Sequence, residues 1–343
     1  MSCSVTEAPV RPRESNFELL RCISMFMVLV LHANFFALGK PGPADLDAAA
    51  SGTAFRWAVE ALCICCVNVF VLISGWFGIN ASLRKFLRFV FQVLFFYTGG
   101  LIVALALGKV QSPLHAVADV FQLTSYDWFI KSYLVLFILS PLLNQFRNLD
   151  TGVQRAVILS FFGFEAVYGW IAGGVRFFVG GYGPLHLIGI YLLGQYLHQR
   201  TPAVKPVWSV LAYLLISMVI AASGLIDLKL NNGCRSNPIL AYSSPLVVAA
   251  SVFLFLAFAR MDIRRSKFIN WLGASSFAVF LLHCVPIVRE HLFIPVVQGI
   301  NGSFPGPAGV LLTELFLVGI FISACLIDQI RIAVWNLISR RRG

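Results

Sequence analysis

The chain has 343 residues, of which 59% are apolar and only 12% charged, with a mean hydropathy of +0.83 and a formal net charge of +11. That charged share is about half that of an ordinary globular domain, and with thirty-one Phe it excludes disordered, coiled-coil, collagen-like and disulfide-scaffold chains. The basic residues sit in short clusters between long apolar runs, which is the pattern of a polytopic helical membrane protein and not of a nucleic-acid binder or an outer-membrane barrel.

A helix needs about 20 apolar residues to cross a bilayer. Ten candidate spans follow in chain order: 17–38, 57–79, 86–108, 129–146, 156–172, 183–198, 207–226, 241–259, 268–288 and 307–334. The first continues through Phe35, Phe36 and Leu38 and lacks a clean cleavage site, so it is expected to be an uncleaved span and not a signal peptide. The loop at 39–56 and the stretch at 109–128 are the largest outer segments, and the second has room for a short interfacial helix. Pro113, Pro141, Pro184, Pro245 and Pro286 are expected at span starts, ends or kinks. Counting Lys and Arg on alternating sides puts seventeen on the side of both termini and seven on the other, with Arg21 and Lys131 inside spans. The positive-inside rule then makes both termini cytoplasmic. Nothing separates as a second domain. The expected fold is all-α, one polytopic transmembrane bundle over residues 1–343.

Eight Cys lie mostly within apolar runs. Cys63, Cys65 and Cys66 have no matching His or Cys pair at zinc spacing, so small buried hydrophobes are expected and no metal site.

Ionisable groups at bilayer depth are costly and are functional candidates by default. They are Arg21, His32, Glu60, Lys131, Glu165, His186, His283 and Glu314. Arg21 lies near the cytoplasmic edge, where it can snorkel. Glu60, Lys131 and His186 lie near outer edges, within reach of water. Glu165 is deeper and has Lys131 on the preceding span as a possible structural partner. Glu314 has no evident partner. His32 is different, because it lies roughly 22 Å into the first span at 1.5 Å per residue. Arg21 and His32 are eleven residues apart, about three helical turns, so they share one face about 16 Å apart. A guanidinium at the mouth and an imidazole below it suggest a cavity entered from the cytoplasm. The imidazole can take and return a proton near neutral pH.

Arg21-x10-His32, within LLRCISMFMVLVLHANF, resembles the first-span signature of the membrane acyltransferase-3 family, whose members acylate bacterial surface sugars. The second span, CVNVFVLISGWFG from Cys66 to Gly78, is similar to the family's V-[DN]-x-F-F-x-x-S-G stretch, with Asn68 at the D/N position and Ser74-Gly75 as the Ser-Gly pair. SLRKFLRF resembles its basic loop, with Lys85-x-x-Arg88 beside Arg84. The segments at 128–146, 242–260 and 276–283 also look like family segments, so the resemblance covers nearly the whole chain. One departure concerns the acceptor. Trp128 is followed by Lys131 and Tyr133, where many polysaccharide-modifying members have a Glu-containing stretch, and Asn68 replaces the acid of some members.

The resemblance implies transfer of an acyl group, usually acetyl, from cytosolic acyl-CoA to a hydroxyl of a cell-surface or lipid-linked glycan, in a multi-pass protein of the bacterial plasma (inner) membrane. Acyl-CoA would be a co-substrate, with no permanently bound cofactor and no nucleic-acid partner. The phosphates of CoA suit Arg21, Arg84, Lys85 and Arg88, although a topological role accounts for the loop charges equally well. His32 is the expected general base, and Asn68 would orient that imidazole or stabilise the oxyanion. Ser74, Trp128, Tyr133 and His283 are expected around the cavity, His283 either lining it from the acceptor side or packed as an unrelated histidine. The rival reading is a transporter or flippase for a sugar or lipid-linked glycan. It predicts paired Gly/Pro-broken spans in inverted repeats, and no convincing pair is present.

Overall fold

The computed structural model describes residues 13–110, 112–122, 127–172, 179–233 and 236–340. Arg11, Arg176, Arg235, Arg341 and Arg342 of the charge count, and Cys3 and Cys234, lie outside these residues. No strand occurs among the described residues.

Helix α1 (Ser15–Leu31) runs directly into a π turn, His32–Ala37, to make one span of 23 residues. The short α2 (Pro43–Ala48) leads to α3 (Ala50–Cys63) and α4 (Cys66–Phe77), which together form a 28-residue span. Gly78, at φ +75°, ends α4 in a conformation glycine adopts without a Cβ penalty. The carbonyls of Gly75 and Trp76 at this end of α4 accept from Arg147 Nη2 at 2.7 and 2.9 Å. Helix α5 (Leu83–Ala106) starts at Ser82, whose hydroxyl accepts the Lys85 amide. The expected interfacial helix is α6 (Pro113–Val120). Helix α7 (Trp128–Leu143) carries Pro141 inside it and ends in a 3-10 turn, Asn144–Asn148. Helix α8 (Thr151–Phe164) passes into a second π turn, Glu165–Ile171.

Proline opens α9 (Pro184–Gln199), α10 (Pro206–Asn231) and α12 (Pro245–Ala259), where its missing N–H costs no helical bond. The four-residue α11 (Ser236–Ile239) lies between the last two. Helices α13 (Lys267–Ala274) and α14 (Ser276–Cys284) are followed by a 67° bend and then by α15 (Pro286–Val288), a third π turn (Arg289–Phe293) and α16 (Ile294–Ser303). Pro286 causes the bend, because it cannot donate to the helix and forces Val285 out of helical geometry. The long α17 (Pro307–Arg340) closes the chain.

Among the described residues, six helical segments are long and apolar enough to cross a membrane, or seven if the bent pair is one span. All ten predicted spans fall on helices, but three fall short of that measure. Helix α12 has 15 residues and α9 has 16, while the α8 segment carries Glu165.

The connecting segments gather at two ends of the bundle. At one end, Ser15 Oγ donates to Asn270 Oδ1, Arg200 Nη2 to Thr151 Oγ1, and Arg260 Nη2 to the carbonyls of Thr201 and Pro202. At the other, Arg56 donates to Asn34, Gln298 to the Ala37 carbonyl and Trp170 to the Pro238 carbonyl. Helices α4 and α9 cross with their backbones touching, since a Cβ on Gly75 would meet the Tyr191 carbonyl oxygen at 2.2 Å and one on Gly194 would meet the Leu72 oxygen at 2.5 Å. Small residues permit this approach where lipid gives no hydrophobic drive to pair helices. Cys22, Cys63, Cys65, Cys66, Cys284 and Cys325 are buried free thiols, as their apolar surroundings predict.

Candidate active site

A cavity of about 500 Å³ lies along one stripe of the first span, which contributes Ser24, Met25, Val28 and His32. It continues to Lys40 and Glu60 at the far end from Arg21. Arg21 shares the stripe but is not among the cavity walls. Its Nη1 donates to Glu18 at 2.8 Å, and its guanidinium lies over the Phe77 ring. The expectation of a cavity walled by Arg21 at its mouth is thus corrected. The exposed wall residues are Phe36, Lys40 and Tyr182, at the opposite end.

The first π turn begins at His32 itself. Such wide turns are rare and recur at functional sites. His32 Nδ1 lies 2.7 Å from His283 Nε2, and His283 Nδ1 lies 2.7 Å from the Val279 carbonyl oxygen. A carbonyl only accepts, so His283 Nδ1 carries the proton and Nε2 of the neutral ring has the lone pair. His32 Nδ1 must then donate to it. This leaves His32 Nε2 unprotonated on a ring that lines the cavity, which is the state a general base requires. His283 is therefore neither a cavity wall nor an unrelated packed residue. It is buried behind His32 and fixes its tautomer.

Cys284 Sγ lies 3.6 Å from His283 Nε2, so His32, His283 and Cys284 bring three metal-ligating atoms within 4.8 Å. Two imidazole nitrogens on one tetrahedral ion, each at about 2.0–2.1 Å, would sit roughly 3.3 Å apart. The 2.7 Å separation fits a direct hydrogen bond better.

Aromatic rings form the opposite wall. Trp128 lies 4.9 Å from Tyr182 and 5.7 Å from Tyr242, and Tyr182 lies 4.9 Å from Tyr242, between ring centroids. Flat apolar faces with a few polar edges suit a sugar ring. At the far end, Glu60 is buried and accepts from Asn34 Nδ2 at 2.9 Å, while Lys40 lies over the Trp57 ring. Of the residues expected around the cavity, Trp128 lines it directly. Tyr133 and Ser74 bond to each other at 3.2 Å just behind the wall, with Tyr133 against Phe70 and Phe129.

Asn68 does not meet His32. Its Oδ1 lies 2.9 Å from His186 Nε2, and its Nδ2 donates to the Tyr242 carbonyl at 2.9 Å. His186 Nδ1 in turn lies 2.9 and 3.0 Å from the two Glu165 oxygens. The partner of Glu165 is thus His186, on the following helix. Glu165, His186 and Asn68 are all fully buried, against the expectation that His186 is solvated. The chain of bonds ties α8, α9 and α4 to the Tyr242 backbone, directly behind the aromatic wall. Removing one member leaves a buried polar partner unsatisfied, so Glu165→Leu, which deletes the group that meets His186 Nδ1, is expected to destabilise the protein by roughly 1–3 kcal/mol. Denaturant unfolding in detergent checks this; a loss below about 1 kcal/mol would contradict it.

At the Arg21 end, Glu18 is buried and accepts from both Arg13 and Arg21. Arg88, exposed near the start of α5, is under the electrostatic influence of Arg331, Asp328, Arg13 and Arg84. Lys85 donates to the Asn80 carbonyl at 3.0 Å. Sequence reasoning missed Glu18, Asn34, the tyrosine wall and the Arg331–Asp328 pair. The available signal was the cost of an ion in an apolar helix, which marks Asp328 as it marks Glu165.

The sequence model of a family described as an acyltransferase domain matches residues 14–328. No curated protein and no solved structure matches the chain.

Proposed function

The chain belongs to the acyltransferase-domain family, and from that premise we propose that it transfers an acyl group, acetyl by default, from cytosolic acyl-CoA to a hydroxyl of a cell-surface or lipid-linked glycan. The observation that carries this reading is the His32–His283 hydrogen bond in the wall of an aromatic cavity. The acceptor O–H gives its proton to His32 Nε2 while its oxygen attacks the thioester carbonyl carbon. The C–S bond breaks, and the CoA thiolate takes the proton back from His32 and leaves as the thiol. His283 accepts from Nδ1 throughout and holds the imidazolium as it forms. Asn68 acts in this reading as a positioning residue, through His186 and the Tyr242 carbonyl, in place of the direct interaction expected from the sequence.

Acyl-CoA is the co-substrate, its phosphates held at the Arg21, Arg84, Lys85 and Arg88 end, while the glycan enters past Trp128, Tyr182 and Tyr242. The protein is read as a multi-pass protein of the bacterial plasma membrane with ten passes and cytoplasmic termini. Reporter fusions after Gly343 and within 41–50 are expected on opposite sides, and equal sidedness would sink that topology.

Charge reversal at Arg84, Lys85 and Arg88 together is expected to weaken acetyl-CoA binding far more than folding, by roughly 1.5–3 kcal/mol for each charged hydrogen bond to phosphate that is removed. An unchanged affinity would assign these charges to topology alone. The glycan itself is identified by mass spectrometry of surface and lipid-linked glycans from cells with and without the protein. A wild-type-specific acyl mass is expected, and identical spectra would remove the glycan from the reading.

A further inference from the structure

Arg331 is a basic residue of α17 that the charge count treats as topological. Its surroundings are not those of a surface charge. The side chain is 3% exposed and its partner Asp328 fully buried. Nε and Nη2 donate to Asp328 at 2.7–2.9 Å, and Gln92 on α5 donates to the same carboxylate at 3.1 Å. Nη1 is buried and has no hydrogen-bond partner among the described residues. A buried guanidinium N–H without an acceptor is costly. The missing acceptor is therefore expected to come from a bound group.

The charges nearby define that group. Arg88 stands one helical turn before Gln92, the α5 residue that donates to Asp328, and is under the electrostatic influence of Arg331, Arg84 and Arg13. The acids that the structure pairs with this end are Asp328, bound by Arg331, and Glu18, shared by Arg13 and Arg21. Among the described residues, Arg13, Arg21, Arg84, Arg88 and Arg331 thus stand with Glu14, Glu18 and Asp328 where α1, α5 and α17 meet. The excess is positive, and the planar N–H fork of arginine matches the oxygens of a phosphate.

We propose that Arg331 is the buried anchor of a phosphate-binding site completed by Arg88 at the Arg21 end of the bundle, with Asp328 holding its guanidinium in place. The identity of the ligand as the phosphates of acyl-CoA rests on the proposed function; the site itself does not, because an anionic lipid headgroup offers the same chemistry.

The test uses the full chain in phosphatidylcholine nanodiscs, with coenzyme A binding measured by calorimetry. Phosphatidylglycerol retention is measured in parallel by native mass spectrometry. Arg331→Lys keeps the charge and loses the fork, and Arg331→Gln loses both. Roughly 10-fold and 100-fold weaker coenzyme A binding is expected for the two. Arg260→Gln, which removes a guanidinium held by the Thr201 and Pro202 carbonyls at the same end, is expected to bind as wild type. If phosphatidylglycerol retention is lost instead, the site stands with a lipid phosphate as its ligand. Wild-type protein that ignores coenzyme A but loses the lipid on substitution would defeat the donor reading and keep the site. If the Arg331 variants do not fold, Arg88→Gln decides by the same two readouts. Folded variants that bind coenzyme A and retain lipid like wild type would overturn the proposal.

Discussion

His32→Gln is expected to give a folded, membrane-inserted protein whose transfer rate falls by a factor of roughly 10²–10⁴, the usual cost of losing a general base. Glutamine keeps polarity and approximate size but cannot cycle a proton. The loss should fall on kcat, because the side chain acts in the transition state and contributes little to holding either substrate. His283 gives the informative comparison. His283→Gln keeps an oxygen that can accept from His32 Nδ1, so part of the rate should survive. His283→Phe removes that acceptor and leaves a buried N–H unsatisfied, a penalty of roughly 1–3 kcal/mol. The expected order of rates is therefore wild type, His283→Gln, His283→Phe, then His32→Gln. Transfer near the wild-type rate by His32→Gln at equal protein level would make His32 a structural histidine.

The largest expected effect on stability comes from one methyl group. Gly75→Ala would place a Cβ 2.2 Å from the Tyr191 carbonyl oxygen and 3.1 Å from Gly194 Cα. Both are backbone atoms of α9, so no side chain can rotate away. Helices α4 and α9 must separate, which also disturbs the Asn68–His186 bond between them. A loss of about 3 kcal/mol or more is expected, at or above the upper end for overpacking. Fluorescence-detected size exclusion after a heating series reads this as a lower melting temperature and a smaller monodisperse peak. Gly99→Ala and Gly319→Ala are the controls, since nothing lies within 4 Å of a Cβ at either site, and they should be neutral or mildly stabilising. Wild-type melting by Gly75→Ala would show that the α4 and α9 backbones do not touch.

Features that depend on local chemistry were legible in the sequence. Apolar runs marked the helices, and prolines marked their boundaries, because lipid and a missing N–H act on the segment itself. Arg21 and His32 fell on one face because helical spacing is local. Partners were not legible. His32 and His283 are 251 residues apart, and only the packing of α1 against α14 brings them to 2.7 Å. Glu165 pointed to Lys131 because both lie on consecutive spans, but its bonds go to His186 on the next helix. Asn68 pointed to His32 through the family resemblance, and the turn of α4 directs it to His186 instead. The span count met a related limit. The α8 and α9 segments carry Glu165 and His186, and these polar residues satisfy one another inside the bundle. Such helices present less apolar surface than a lipid-facing span, and among the described residues six or seven segments, where ten were expected, meet the measure of a span.

The most direct test of the central claim is thiol release from acetyl-CoA carrying a labelled acetyl group. Purified protein in vesicles is mixed with extracted lipid-linked and surface glycans, and free CoA thiol and glycan-bound label are followed together. Wild-type protein is predicted to release thiol and transfer label in equal amounts, only when glycan is present, with His32→Gln inactive in both readouts. Wild-type protein that releases no more thiol than empty vesicles, while glycan still crosses the bilayer, would contradict the account and favour a transporter.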